Sequence, residues 1–132
     1  MLAAQMTTAL TKLTSGVNAR NAAAARQGAI DVARAILDFH LRYRPPTEID
    51  RARFDLWAAQ ILVDAAANNS AGVRGDVTTL EFVRNRFAHT LTSSVRAQVD
   101  AILVELRTTA DANNMAAAAA AAARLRTAFA AP

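Results

Sequence analysis

Apolar residues recur at helical spacing along almost the whole chain, and the broadest apolar surface lies between residues 25 and 43 (ARQGAIDVARAILDFHLRY). Wound at 3.6 residues per turn, Ala25, Ala29, Val32, Ile36, Phe39 and Tyr43 form one stripe, and Ile30, Ala33, Leu37 and Leu41 form a second beside it. Asp31, Arg34, Asp38 and Arg42 share the narrow remaining side, at spacings that let them pair along the helix. A helix with so little polar surface needs neighbours on at least two sides, so this segment is expected at the centre of a helical bundle.

The same periodicity predicts six helices in one domain spanning residues 1–132, at about 3–14, 20–43, 48–67, 70–91, 94–110 and 114–130. Met6, Leu10 and Leu13 mark the first, and the SGVN stretch at 15–18 reads as a turn with Asn18 or Asn21 available to cap the second helix. Pro45 and Pro46 stop that helix, and Thr47 is placed to cap the third with Glu48 and Asp50 in its first turn. The third helix is also broadly apolar, with Ile49, Leu56 and Val63 on one face and Phe54, Ile61 and Ala65 on another, and its tight connection makes it the antiparallel partner of the second. Val73, Val77, Leu80, Val83 and Phe87 continue the pattern, Val95, Val99, Ile102 and Leu106 give the cleanest stripe, and an alanine-rich segment closes the chain. The fold class is therefore expected to be all-α, an antiparallel up-and-down bundle of five or six helices.

A longer period is also visible. The segments NAAAARQGAIDVA from Asn21, NSAGVRGDVTTLE from Asn69 and NMAAAAAAAARLR from Asn114 each start with Asn, continue with small residues, and carry an apolar residue eleven positions on, at Val32, Leu80 and Leu125. Spacings of 48 and 45 residues suit a helix–turn–helix unit, so tandem αα-hairpin repeats are one arrangement of the bundle. The Trp, Gly, Tyr and Pro positions of tetratricopeptide repeats are missing. Small residues just after a short loop have a plainer cause as well, because two helices leaving it must pass close together.

Composition narrows the classes. Alanine supplies much of the 53% apolar content while aromatics make up 5%, which favours helices that approach closely. Four Gly and three Pro leave little for the turns of a β protein. The absence of cysteine excludes disulfides, thiolate metal sites, a Cys nucleophile and C-x-x-C-H haem attachment. No apolar run reaches the roughly 18 to 20 residues of a membrane span. Residues 1–5 (MLAAQ) lack the basic start and apolar run of a signal peptide, though a leader removed before residue 1 would leave the same chain. The compartment is left open, with a cytoplasmic protein and an exported mature domain both compatible.

Of the 15 basic residues only Lys12 is not Arg, and the net charge is +4. Arg42, Arg44, Arg51 and Arg53 crowd the Pro-Pro turn, with Arg84, Arg86 and Arg96 near the other connection at that end. Such clusters can hold a phosphate or carboxylate, and Tyr43, Arg44, Arg53 and Trp57 are the candidate ligand-binding residues. Interleaved Glu48, Asp50, Asp55, Glu81 and Asp100 argue against nucleic acid and for ion pairing on a solvated surface. Arg26, Asp64 and Arg84 fall within or beside apolar arcs and require partners, an Arg–Asp pair between helices being the simple solution.

His40 and His89 are the only histidines, and alternating helices bring both near one end of the bundle together with Asp50. Two imidazoles and a carboxylate make a candidate divalent transition-metal site, set against the plainer role of a histidine near a helix C-terminus. No H-E-x-x-H, Glu-x-x-His, Gly-rich phosphate loop or nucleophile elbow occurs. The carboxylates Asp31 and Asp38 lie beside Arg34 and Arg42, and a salt-bridged carboxylate makes a poor general acid because the neighbouring cation lowers its pKa. The expectation is a non-catalytic helical scaffold without a cofactor, docking a protein partner or a second copy of itself through small and aliphatic residues, especially those of the alanine-dense last helix. The alternative is a small-ligand or metal-binding bundle using His40, His89 and Asp50.

Overall fold

The computed structural model describes residues 2–18 and 21–130, and within them the chain is a helical bundle: α1 (Leu2–Asn18), α2 (Ala22–His40), α3 (Pro46–Ala66), α4 (Ser70–Phe87), α5 (Ser93–Asp111) and α6 (Met115–Ala130), with a 3-10 turn at Ala88–Thr90. These are the six expected helices; the expected start of the second, at residue 20, lies outside the described residues.

Asparagines set three of the connections. Asn21, Asn69 and Asn114 each accept, through Oδ1, the backbone N–H three residues on, from Ala24, Gly72 and Ala117, at 3.1, 3.0 and 3.2 Å. Each also closes the preceding helix by donating its own N–H five residues back, to Gly16, Asp64 and Thr109, at 2.8 to 2.9 Å. One residue therefore satisfies orphan groups of two helices. In the second and third of these turns the residue before the cap, Asn68 or Asn113, adopts a left-handed conformation with φ of 55° or 56°, which Asn tolerates better than other side chains. Hairpins α1–α2, α3–α4 and α5–α6 result.

Two local expectations are corrected. Gly16 does not end α1 but sits inside it, buried, where an added Cβ would come within 2.7 Å of the Ala25 nitrogen, so its smallness serves the approach of α2. Thr47 does not cap α3; the helix starts earlier, with Pro45 at the cap and Pro46 in its first turn, where a missing N–H leaves nothing unsatisfied.

Helices α3 to α6 close a ring in which α3 and α5 each pack against both α4 and α6. Phe54, Ile61, Val73, Val77, Leu80, Phe87, Val99, Leu106 and Leu125 are fully buried inside it. Phe54, Phe87 and Phe129 join α3, α4 and α6 with ring centroids 5.2 to 5.5 Å apart. Outside the ring α2 lies along α3, and α1 lies along α2. The central helix is therefore α3, not the 25–43 segment. α3 meets three neighbours, while α2 meets two and leaves Ile36 and Phe39 about two-fifths exposed, at 40% and 38%. The alanine-dense α6 is also not a spare surface: Ala118, Ala121 and Ala122 are fully buried, their small size allowing close packing on α3 and α5.

Candidate functional site

Two features of the α1–α2 hairpin and its junction with α3 stand apart from ordinary packing. The first is the outer side of the hairpin. α1 and α2 approach through Gly16, Ala24 and Ala25 and through Gly28, whose added Cβ would come within 2.6 Å of the Leu13 Cα. On one side of this contact Gln5, Thr8 and Lys12 of α1 face Asp31, Arg34 and Asp38 of α2 across an open groove, with Lys12 bonded to Asp31 at 3.0 Å. Helical geometry places Met6, Leu10 and Val17 of α1 beside Val32, Ile36 and Phe39 of α2 on the other side. That side carries no charge within the stripe and faces away from α3; Leu10, Val17, Ile36 and Phe39 are exposed on it.

The second feature is a polar seam between α2 and α3 that Asp76 of α4 borders. Buried Gln60 of α3 exchanges two hydrogen bonds with Gln27 of α2, accepts a third from Arg34 Nη2 at 3.2 Å, and donates to Asp64 Oδ1 at 3.3 Å. Gln27 also donates to Asp31 at 3.0 Å, and the Arg34 guanidinium lies 4.2 Å above the Trp57 ring. Asp76 of α4 closes the seam: it is 5% exposed, and its Oδ2 has no hydrogen-bond partner among the described residues. Burial first, then the hydrogen bond and the negative charge of Asp64, push the Asp76 carboxyl from 3.8 up to about 8, with the Arg34 charge opposing.

The candidate residues of the sequence are dispersed over this frame. His40 ends α2, half-buried; His89 lies exposed in the 3-10 turn; and the buried Asp50 carboxylate is taken by Arg86 at 3.0 Å, with Arg53 at 3.9 Å. Among the described residues no group of three or more His, Cys, Asp or Glu side chains is placed to hold a metal ion. The expected shared layer of His40, His89 and Asp50 is corrected accordingly: a carboxylate neutralised by Arg is a poor ligand for a cation. Of the four candidate ligand-binding residues, Arg53 and Trp57 line one hollow of about 210 Å³ with Arg34, Asp38 and Leu56, where Arg53 is bonded to Asp38 at 2.7 Å. Tyr43 stands 83% exposed in the turn and Arg44 pairs with Glu48, so neither joins them. Arg84 is bonded to Asp100 through both carboxylate oxygens at 2.7 to 2.8 Å, which is the Arg–Asp solution expected for it. Sequence reasoning missed Gln60 and Asp76. The signal was there: Gln60 interrupts the Leu56–Val63 stripe and Asp76 sits between Val73 and Leu80 on the inner face of its helix.

Compared with protein-family models, curated proteins and solved structures, the chain matches none. Among the described residues no helix is long and apolar enough to cross a membrane.

Proposed function

We propose that the protein is a non-catalytic helical scaffold that self-associates, with the outer side of the α1–α2 hairpin as the docking face for the same face of a second copy. The reading rests on how the three hairpins are used. We take α1–α2, α3–α4 and α5–α6 as recurrences of one unit, each closed by the same asparagine turn. Two of them cover each other's apolar sides in the α3–α6 ring, whereas among the described residues α1–α2 has no hairpin opposite it. A second copy supplies the missing partner, turning two exposed two-helix layers into a second four-helix arrangement about a two-fold axis. The uncharged stripe of Leu10, Val17, Ile36 and Phe39 is complementary to itself, since no like charges would meet across that axis.

Sedimentation velocity from micromolar to near-millimolar protein tests this. A concentration-dependent dimer is expected, abolished by Ile36→Asp combined with Leu10→Asp while helical content is retained. A monomer over the whole range, or a dimer indifferent to the double variant, would overturn it.

A further inference from the structure

We infer that Asp76 and Asp64 form a proton-holding pair, in which a neutral Asp76 carboxyl donates a hydrogen bond to the Asp64 carboxylate across the α3–α4 interface. The geometry that carries this begins with the other carboxylates. Asp31, Asp38, Glu48, Asp50, Asp55, Glu81, Asp100, Glu105 and Asp111 all lie in salt bridges with Arg or Lys. Among the described residues, the two acidic side chains outside every such bridge are Asp64 and Asp76, and the Asp64 carboxylate lies against α4 one turn before Asp76, its Oδ2 2.9 Å from where a Cβ on Gly72 would stand. Two adjacent carboxylates cannot both ionise cheaply away from water, and the Asp76 carboxyl, whose Oδ2 is buried without a donor among the described residues to stabilise a negative charge, is the one suited to keep the proton.

The surroundings favour a proton over a metal cation. Gln60 Nε2 points a donor at Asp64 Oδ1, and the Arg34 guanidinium of α2 faces the pair with a positive charge. The charged side chains of α5 and α6 that reach other helices are engaged elsewhere: Arg107 with Glu81, Asp100 with Arg84, Arg124 with Glu105 and Arg126 with Asp55. None of these competes for the Asp76 proton.

Unfolded, Asp76 ionises near 3.8; folded, it holds its proton up to about 8, so between these values the folded state binds more protons. This group's contribution to stability is therefore greatest at the acid end of the window, falls as pH rises through it, and levels off above it.

Carboxyl ¹³C NMR titration of the wild-type chain, Asp76→Asn and Asp64→Asn, with thermal unfolding of each at pH 6 and pH 9, provides the test. One aspartate is expected to titrate near 8; that transition disappears in Asp76→Asn and moves to lower pH in Asp64→Asn, where the like charge is gone. The wild-type Tm is expected to fall between the two pH values by about 5 °C more than that of Asp76→Asn, whose neutral amide mimics the protonated acid. An Asp76 that titrates with the ordinary aspartates, or one whose transition is unmoved by Asp64→Asn, overturns the pair. So does a transition that millimolar calcium chloride shifts to the ordinary aspartate range, which would assign a cation to the space instead.

Discussion

Gln27 and Gln60 exchange both of their amide hydrogen bonds across the seam between α2 and α3, Gln27 Nε2 reaching Gln60 Oε1 at 2.8 Å and Gln60 Nε2 reaching Gln27 Oε1 at 2.6 Å. A reciprocal pair of this kind fixes the rotation of one helix against the other, because only one register brings donor to acceptor twice. It also ties the α1–α2 hairpin to the ring, since α2 is the helix through which that hairpin is attached.

Gln60→Ala should therefore loosen the hairpin selectively. Gln27 and Arg34 lose their shared acceptor, and the expected cost is about 1–3 kcal/mol in urea unfolding. Hydrogen exchange should quicken in α1 and α2 while α4, α5 and α6 keep their protection. Uniform acceleration over all six helices would show that the seam is not a separable joint.

Glycine substitutions at two helical positions should act in opposite directions. Gly28→Ala forces a Cβ to within 2.6 Å of the Leu13 Cα, which is backbone and cannot swing aside, so α1 has to move and a loss of about 1–3 kcal/mol is expected. Gly75→Ala meets nothing within 4 Å and restricts the unfolded chain, so a gain of about 0.5–1 kcal/mol is expected. Chemical denaturation of the two variants beside the wild type checks both signs.

The left-handed turn at Asn68 gives a third prediction. Asn68→Val places a β-branched side chain at φ 55° and should lose about 1–2 kcal/mol, whereas Asn68→Gly should be neutral or stabilising, as measured by thermal and urea unfolding. Equal effects from both would mean that the side chain, not the backbone conformation, governs the turn.

The sequence specified much of this architecture because its signals are local. A 3.6-residue apolar period needs no knowledge of the neighbour to mark a helix, and an Asn followed by small residues marks a cap wherever the chain goes next. Hence Asn21, Asn69 and Asn114 were legible as recurring positions, and the six helices with them. Hydrophobic burial, however, is non-directional: the stripe through Ile36 and Phe39 indicates a face with an affinity for cover but not what covers it, and the 25–43 segment and α3 read as equally apolar although only α3 gained three neighbours. Hydrogen bonds and charge pairs depend instead on distances of a few ångströms between segments far apart in the chain. Whether Asp50 met an arginine or an imidazole, and whether Gln60 and Asp76 were interruptions of a stripe or parts of one seam, was decided only when α3 packed between α2 and α4.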